Sequence, residues 1–173
     1  MRRVNLFNEN IKQCNDGIST SKIYYHGSYT EIRNPKLLDP RFGKDFGQGF
    51  YITEFKEHAE RWTRKFRKRI ISSYKIKDLN NLKIKSFKET NDEWLEYIAN
   101  CRYIKDYKHG YDMVEGPMAD DQVYDWVSEY KGGRLSKEMF FKLCEYRYPT
   151  HQIAICSEKA LEKLEFMESY EVK

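Results

Sequence analysis

The residues whose types and spacing best suit chemistry lie in two short segments. One is the quartet Tyr25, His26, Gly27, Ser28; the other is the run Asp45, Phe46, Gly47, Gln48, Gly49, Phe50, Tyr51. An imidazole at a strand end can donate or accept a hydrogen bond near neutral pH. A following glycine lets a second backbone or a ligand come close. If the two segments are neighbouring strands, His26 and Tyr51 bring two flat polar rings to one cleft, suited to gripping a flat, charged nucleotide. Gly27, Ser28, Asp45, Gly49 and Phe50 are then the expected walls of that cleft. The glycine run is not a phosphate loop, because no Gly-Lys-Ser/Thr triplet follows it. It is not a dinucleotide fingerprint either, since it leads from loop to strand and not from strand to helix.

Other candidate groups read as ordinary. The acids Asp120 and Asp121 follow Pro117 and suit the first turn of a helix, where each stabilises the helix by about 0.3–1 kcal/mol; no third ligand is spaced to make a magnesium site with them. His58, His109 and His151 have no paired spacing and are expected at the surface, with His151 bordering the cleft beside Gln152. The four cysteines, Cys14, Cys101, Cys144 and Cys156, show no zinc or redox spacing. No metal is expected, and reduced thiols point to the cytoplasm.

The elements that must position these residues follow from periodicity. Residues 1–22 are polar and turn-rich, a loosely held lead-in, and residues 23–173 form a single domain. Strands are expected at 23–27 and 49–53, joined by a Pro-marked loop and followed by a helix that Thr53 caps, with Phe55, Ala59, Trp62 and Phe66 on one face. The stretches 72–77 and 82–87 alternate like a hairpin. Thr90 and Glu93 form a capping box ahead of a further helix. A strand at 111–115, helices opening at Asp120 or Asp121 and at Ser136, a buried strand at 152–156 and a closing strand at 166–172 complete the chain. This gives roughly six or seven strands and four or five helices, clustered and not strictly alternating, hence α+β.

The 173 residues carry a net charge of +4, with 34% charged and 16% aromatic side chains, so a folded core under a solvated surface is expected. The basic run at residues 64–69 reads first as a solvated face and second as an RNA-binding one. No apolar run is long enough to span a bilayer and no signal-peptide core opens the chain, so no membrane partner is expected.

The His-Gly strand, the Gly-Phe-Tyr strand leading into a helix with Ala59 and Trp62, and a late strand opening on Gln152 together resemble the ADP-ribosyltransferase arrangement. Four ordered segments, YYHGSYTEIRNPKLLDPRFGKDFGQGFYIT, EWLEYI, YDMVEGPMADDQVYD and HQIAICSEKALEKLEFMESYEV, are similar to the bacterial family called domain of unknown function 3990. That resemblance implies an ADP-ribosyltransferase-like fold of two small packed sheets with helices clustered between strands. It implies NAD as ADP-ribose donor, His26 as ribose anchor, Tyr51 as the ring stacked on nicotinamide and Gln152 at the third catalytic position. It also implies a toxin–antitoxin or conflict setting, with an antitoxin partner and an acceptor macromolecule.

Gln152 departs from the carboxylate of well-known transferases. An amide hydrogen-bonds a ribose hydroxyl but neither takes a proton nor offsets a developing positive charge. Asp45, Asp120, Asp121 and Glu158 are the acids left to supply a base. The alternative expectation is a non-catalytic module on the same fold that binds NAD, another nucleotide or nucleic acid.

Overall fold

The computed structural model describes residues 17–37, 44–119, 121–144 and 150–173. Most of the expected lead-in and Asp120 lie outside them. The architecture is α+β, with two small sheets and five helices among the described residues. Strands β1 (Tyr24–Ser28), β3 (Ile70–Ile76) and β7 (Leu164–Glu171) form one antiparallel sheet in the order β1-β3-β7. Strands β2 (Phe50–Ile52), β6 (Gln152–Ile155), β5 (Met113–Gly116) and β4 (Ile84–Ser86) form the other, in the order β2-β6-β5-β4.

Alternation along the strands divides the core in two. Tyr24, Phe50, Ile52, Tyr74, Ile76, Met113, Ile153 and Ile155 pack between the sheets. Val114 and Ala154, one residue out of phase, face the opposite side of the four-stranded sheet. There they meet helices α2 (Asp92–Tyr103), α3 (Asp121–Lys131) and α4 (Lys137–Cys144) through Trp94, Leu95, Ile98, Val123, Val127 and Phe140. A period of two thus supplies both faces of one sheet.

Three expectations are corrected. The stretches read as a hairpin do not pair: β3 lies between β1 and β7, while β4 runs parallel to β5. Asn91, not Thr90, caps α2, its side chain accepting from the Trp94 N–H at 3.0 Å. Helix α1 (Lys56–Thr63) has Phe55 at its cap position with no side-chain bond. Thr53 instead accepts the Phe55 N–H at 3.2 Å and donates to the His151 carbonyl at 2.9 Å, spending its hydroxyl on tertiary structure. The described end of the lead-in is also anchored: the Ser19 N–H donates to the Tyr24 hydroxyl at 2.8 Å, and Lys22 pairs with Glu54 at 2.8 Å. Ser157, as expected, caps α5 (Glu158–Leu161) through the Ala160 N–H.

Helix α1 lies directly on β1, and Gly27 permits it. A Cβ at Gly27 would stand 2.1 Å from the Ala59 carbonyl oxygen and 2.9 Å from the Thr63 methyl. Helix backbone cannot yield as a flexible side chain can, so Gly27→Ala should cost about 1–3 kcal/mol or more. Urea denaturation measures this; an unchanged midpoint would mean that α1 packs further from the strand than described.

Candidate functional site

The two sheets meet at their edges. Tyr25 and Thr53 form an antiparallel bridge, with N–H to carbonyl distances of 2.8 and 3.0 Å in the two directions. One residue further along β1, the His26 imidazole takes over: Nδ1 lies 2.7 Å from the Tyr51 carbonyl oxygen. A carbonyl only accepts, so Nδ1 carries the proton. Burial drives the His26 pKa down to about 4, against the opposing pull of that carbonyl bond. The ring is therefore neutral at physiological pH, with Nε2 an acceptor that meets no hydrogen-bonding group among the described residues. The imidazole stacks on Phe50 at 4.3 Å between centroids and meets the edge of Trp62 at 6.5 Å.

His26 and Tyr51 do not face each other ring to ring. Phe50 and Tyr51 alternate across β2, and His26 sits on the Phe50 side, so it meets Tyr51 only through the main chain. The phenol points into the other core, donating to the Gly47 carbonyl at 2.7 Å and accepting from the Phe46 N–H at 3.1 Å. Burial and the nearby Asp45 charge hold its pKa well above the usual value. Tyr51 thus pins the glycine run, and its hydroxyl is committed to backbone.

Further bonds fix the same loop. His109 accepts the Tyr111 N–H at Nδ1, at 3.1 Å, so its Nε2 must donate to the Phe46 carbonyl, at 3.2 Å. Burial lowers the His109 pKa, which keeps that neutral form. Gly47 has φ +76°, a left-handed conformation that favours glycine. Gly49 approaches β6 so closely that a Cβ would lie 3.0 Å from the Ile155 carbonyl oxygen. Burial pushes the thiols of Cys101 and Cys156 up to about 12, so neither is a nucleophile at neutral pH.

Beneath the loop lies a buried charge centre. Asp45 pairs with Arg102 of α2 through Oδ1, while its Oδ2 accepts from the Gln152 amide at 2.7 Å and from the Ala119 N–H at 2.8 Å. Arg102 also donates to the Ala119 carbonyl at 3.3 Å. Gln152 is buried, and its amide is spent on Asp45. A carboxylate at position 152 would face another carboxylate, which gives a physical reason for glutamine there. Ser28 is buried at the end of β1, where it pairs with Ile70. Glu158 opens α5 and is exposed.

Arg102 was missed in the sequence, although a signal existed. It stands seven residues after Leu95 and four after Ile98, a cation on the apolar stripe of its helix. The histidines expected at the surface are also corrected. His58 is buried and His109 half-buried; His151 stands 3.5 Å from Glu115, which Ser86 also holds. Burial pushes the Glu115 pKa up, but the bonds from His151 and Ser86 outweigh it and keep the carboxyl below its usual range. Phe55 packs its ring against both His58 and His151. An open depression of about 690 Å³, lined by Glu89, Thr90, Asn91, Asp92, Glu93 and Phe141, shares no residue with the seam. Its acids have the wrong sign for a dinucleotide's phosphates.

The model of a family described as protein of unknown function (DUF3990) matches residues 22–166, and the chain belongs to that family. The match spans β1 through the first strand residues of β7 and so includes every residue of the seam and of the Asp45 centre. No curated protein matches the chain. No helix among the described residues is long and apolar enough to cross a membrane.

Removing one partner of the buried pair leaves the other charge uncompensated. Asp45→Asn should therefore destabilise the fold by about 3–5 kcal/mol in urea melts. Gln152→Glu should destabilise more at pH 8 than at pH 5, because protonating the introduced carboxyl relieves the contact. A pH-independent loss would contradict the Asp45–Gln152 bond.

Proposed function

We propose that this DUF3990 protein binds NAD at the β1–β2 seam and acts as a mono-ADP-ribosyltransferase on the ADP-ribosyltransferase-like fold. The observation that carries the reading is the neutral His26 imidazole with its proton fixed on Nδ1, which leaves Nε2 as an acceptor suited to a ribose hydroxyl. The stacked Phe50 and the edge of Trp62 hold the ring in one orientation. Such orientation matters because displacement of nicotinamide passes through an oxocarbenium-like state, where positioning supplies much of the rate. The glycosidic bond breaks, nicotinamide leaves with the electron pair, an acceptor nucleophile bonds the anomeric carbon, and its proton passes to solvent. Asp45 is not free to take that proton, since Arg102, Gln152 and Ala119 occupy its oxygens.

Tyr51 contributes through the loop it pins, holding residues 45–49 as one wall. Gln152 keeps that wall in place through Asp45, which points to slow turnover, by on the order of 10²–10³ relative to a site with a charged stabiliser. A toxin role with a dedicated antitoxin fits this chemistry and belongs to the same proposal. The commitment of the Gln152 amide to Asp45 favours a second reading, a non-catalytic NAD- or nucleotide-binding module.

Calorimetry with millimolar NAD, together with chromatography of released nicotinamide, tests both readings. The wild type should bind NAD and release nicotinamide. His26→Ala, checked for folding by circular dichroism, should lose at least tenfold in affinity, and Tyr51→Phe, which removes the hydroxyl that pins the glycine run, should weaken binding less than His26→Ala does. NAD binding without nicotinamide release selects the non-catalytic module; absence of NAD binding overturns the transferase, and absence of ADP-ribose and ATP binding as well overturns both.

A further inference from the structure

Beside the seam, the end of α1 and the turn after it expose Arg64, Lys65, Arg67 and Lys68. None forms an ion pair among the described residues, although Glu60 stands four residues before Arg64. Two rings rise among these cations. Tyr29, one residue past β1, is 62% exposed and lies edge-on to Phe66, with centroids 5.5 Å apart. Lys65 lies over the Phe66 face at 5.2 Å. Arg69 is tethered to the Thr63 hydroxyl at 3.1 Å, which fixes where the turn enters β3.

Unpaired cations interleaved with an exposed ring form a surface for a polyanion whose bases are free to stack. A solvated charged face explains the lysines and arginines. It does not explain a tyrosine left 62% exposed in their midst, supported from behind by a second ring. Duplex DNA offers phosphates but keeps its bases stacked inside, whereas single-stranded RNA presents unstacked bases to aromatic side chains. We infer that the surface formed by Tyr29, Phe66, Arg64, Lys65, Arg67 and Lys68 binds single-stranded RNA, with a base on Tyr29 and phosphates on the cations. The inference goes beyond the NAD reading and is tested without NAD, so either can fail alone.

Fluorescence anisotropy of a labelled oligouridine about 12 nucleotides long, titrated with the full chain, tests it. Four phosphate contacts give a slope of log K against log salt of about −3. Arg67→Ala with Lys68→Ala should halve that slope, and Tyr29→Ala should weaken binding about tenfold while leaving the slope unchanged. Circular dichroism of each variant checks the fold, and NAD affinity, where present, should not move. The inference is overturned by absent binding at low salt, by an unaffected Tyr29→Ala, or by tighter binding of single-stranded or duplex DNA of matching length.

Discussion

The imidazole of His26 closes the joint between the two sheets. Edge strands leave main-chain groups unpaired, and an unsatisfied carbonyl away from water costs free energy. At Tyr25 and Thr53 the two edges satisfy each other directly. At the next position a side chain substitutes for backbone, and the Tyr51 carbonyl is answered by Nδ1. That bond sets the ring's tautomer and, with Phe50 stacked against it, its orientation. Gly27 follows at once, and its missing Cβ lets α1 bring Trp62 to the same ring. One dipeptide thereby joins two sheets and a helix.

The loop before β2 is held by a different economy of groups. Tyr51, His109 and Asp45 each satisfy main-chain atoms of neighbouring segments, and Arg102 neutralises the one carboxylate among them. Loops with so many buried anchors hold one conformation and do not sample many. The same commitment explains why position 152 is an amide: it donates to Asp45 where an acid would repel it.

Much of this was legible in the chain, in proportion to how local the signal is. The strands around His26, Tyr51 and Gln152 show as short apolar runs bounded by glycine or polar residues, and the structure has strands there. The helix faces were readable in part from spacing: Val123, Val127 and Phe140 lie in the core, but Met139, expected on the same face as Phe140, is exposed. Partner choice was not, because alternation in 72–77 and 82–87 says that both are strands and nothing about which edge each meets; β4 found β5 and β3 found β1. Burial of single polar groups was also hidden. His58, His109 and Arg102 have partners supplied by distant segments, so their spacing alone gives a surface reading. Asp45 was marked as a cleft residue, yet its dominant partner lies 57 positions away.

Nitrogen-15 NMR of the histidine rings as a function of pH tests the seam most directly. His26 should be neutral with its proton on Nδ1 from pH 8 down to near its midpoint at about 4. An ordinary midpoint near 6.5, or a proton on Nε2 at neutral pH, would contradict the joint and the acceptor it leaves at Nε2.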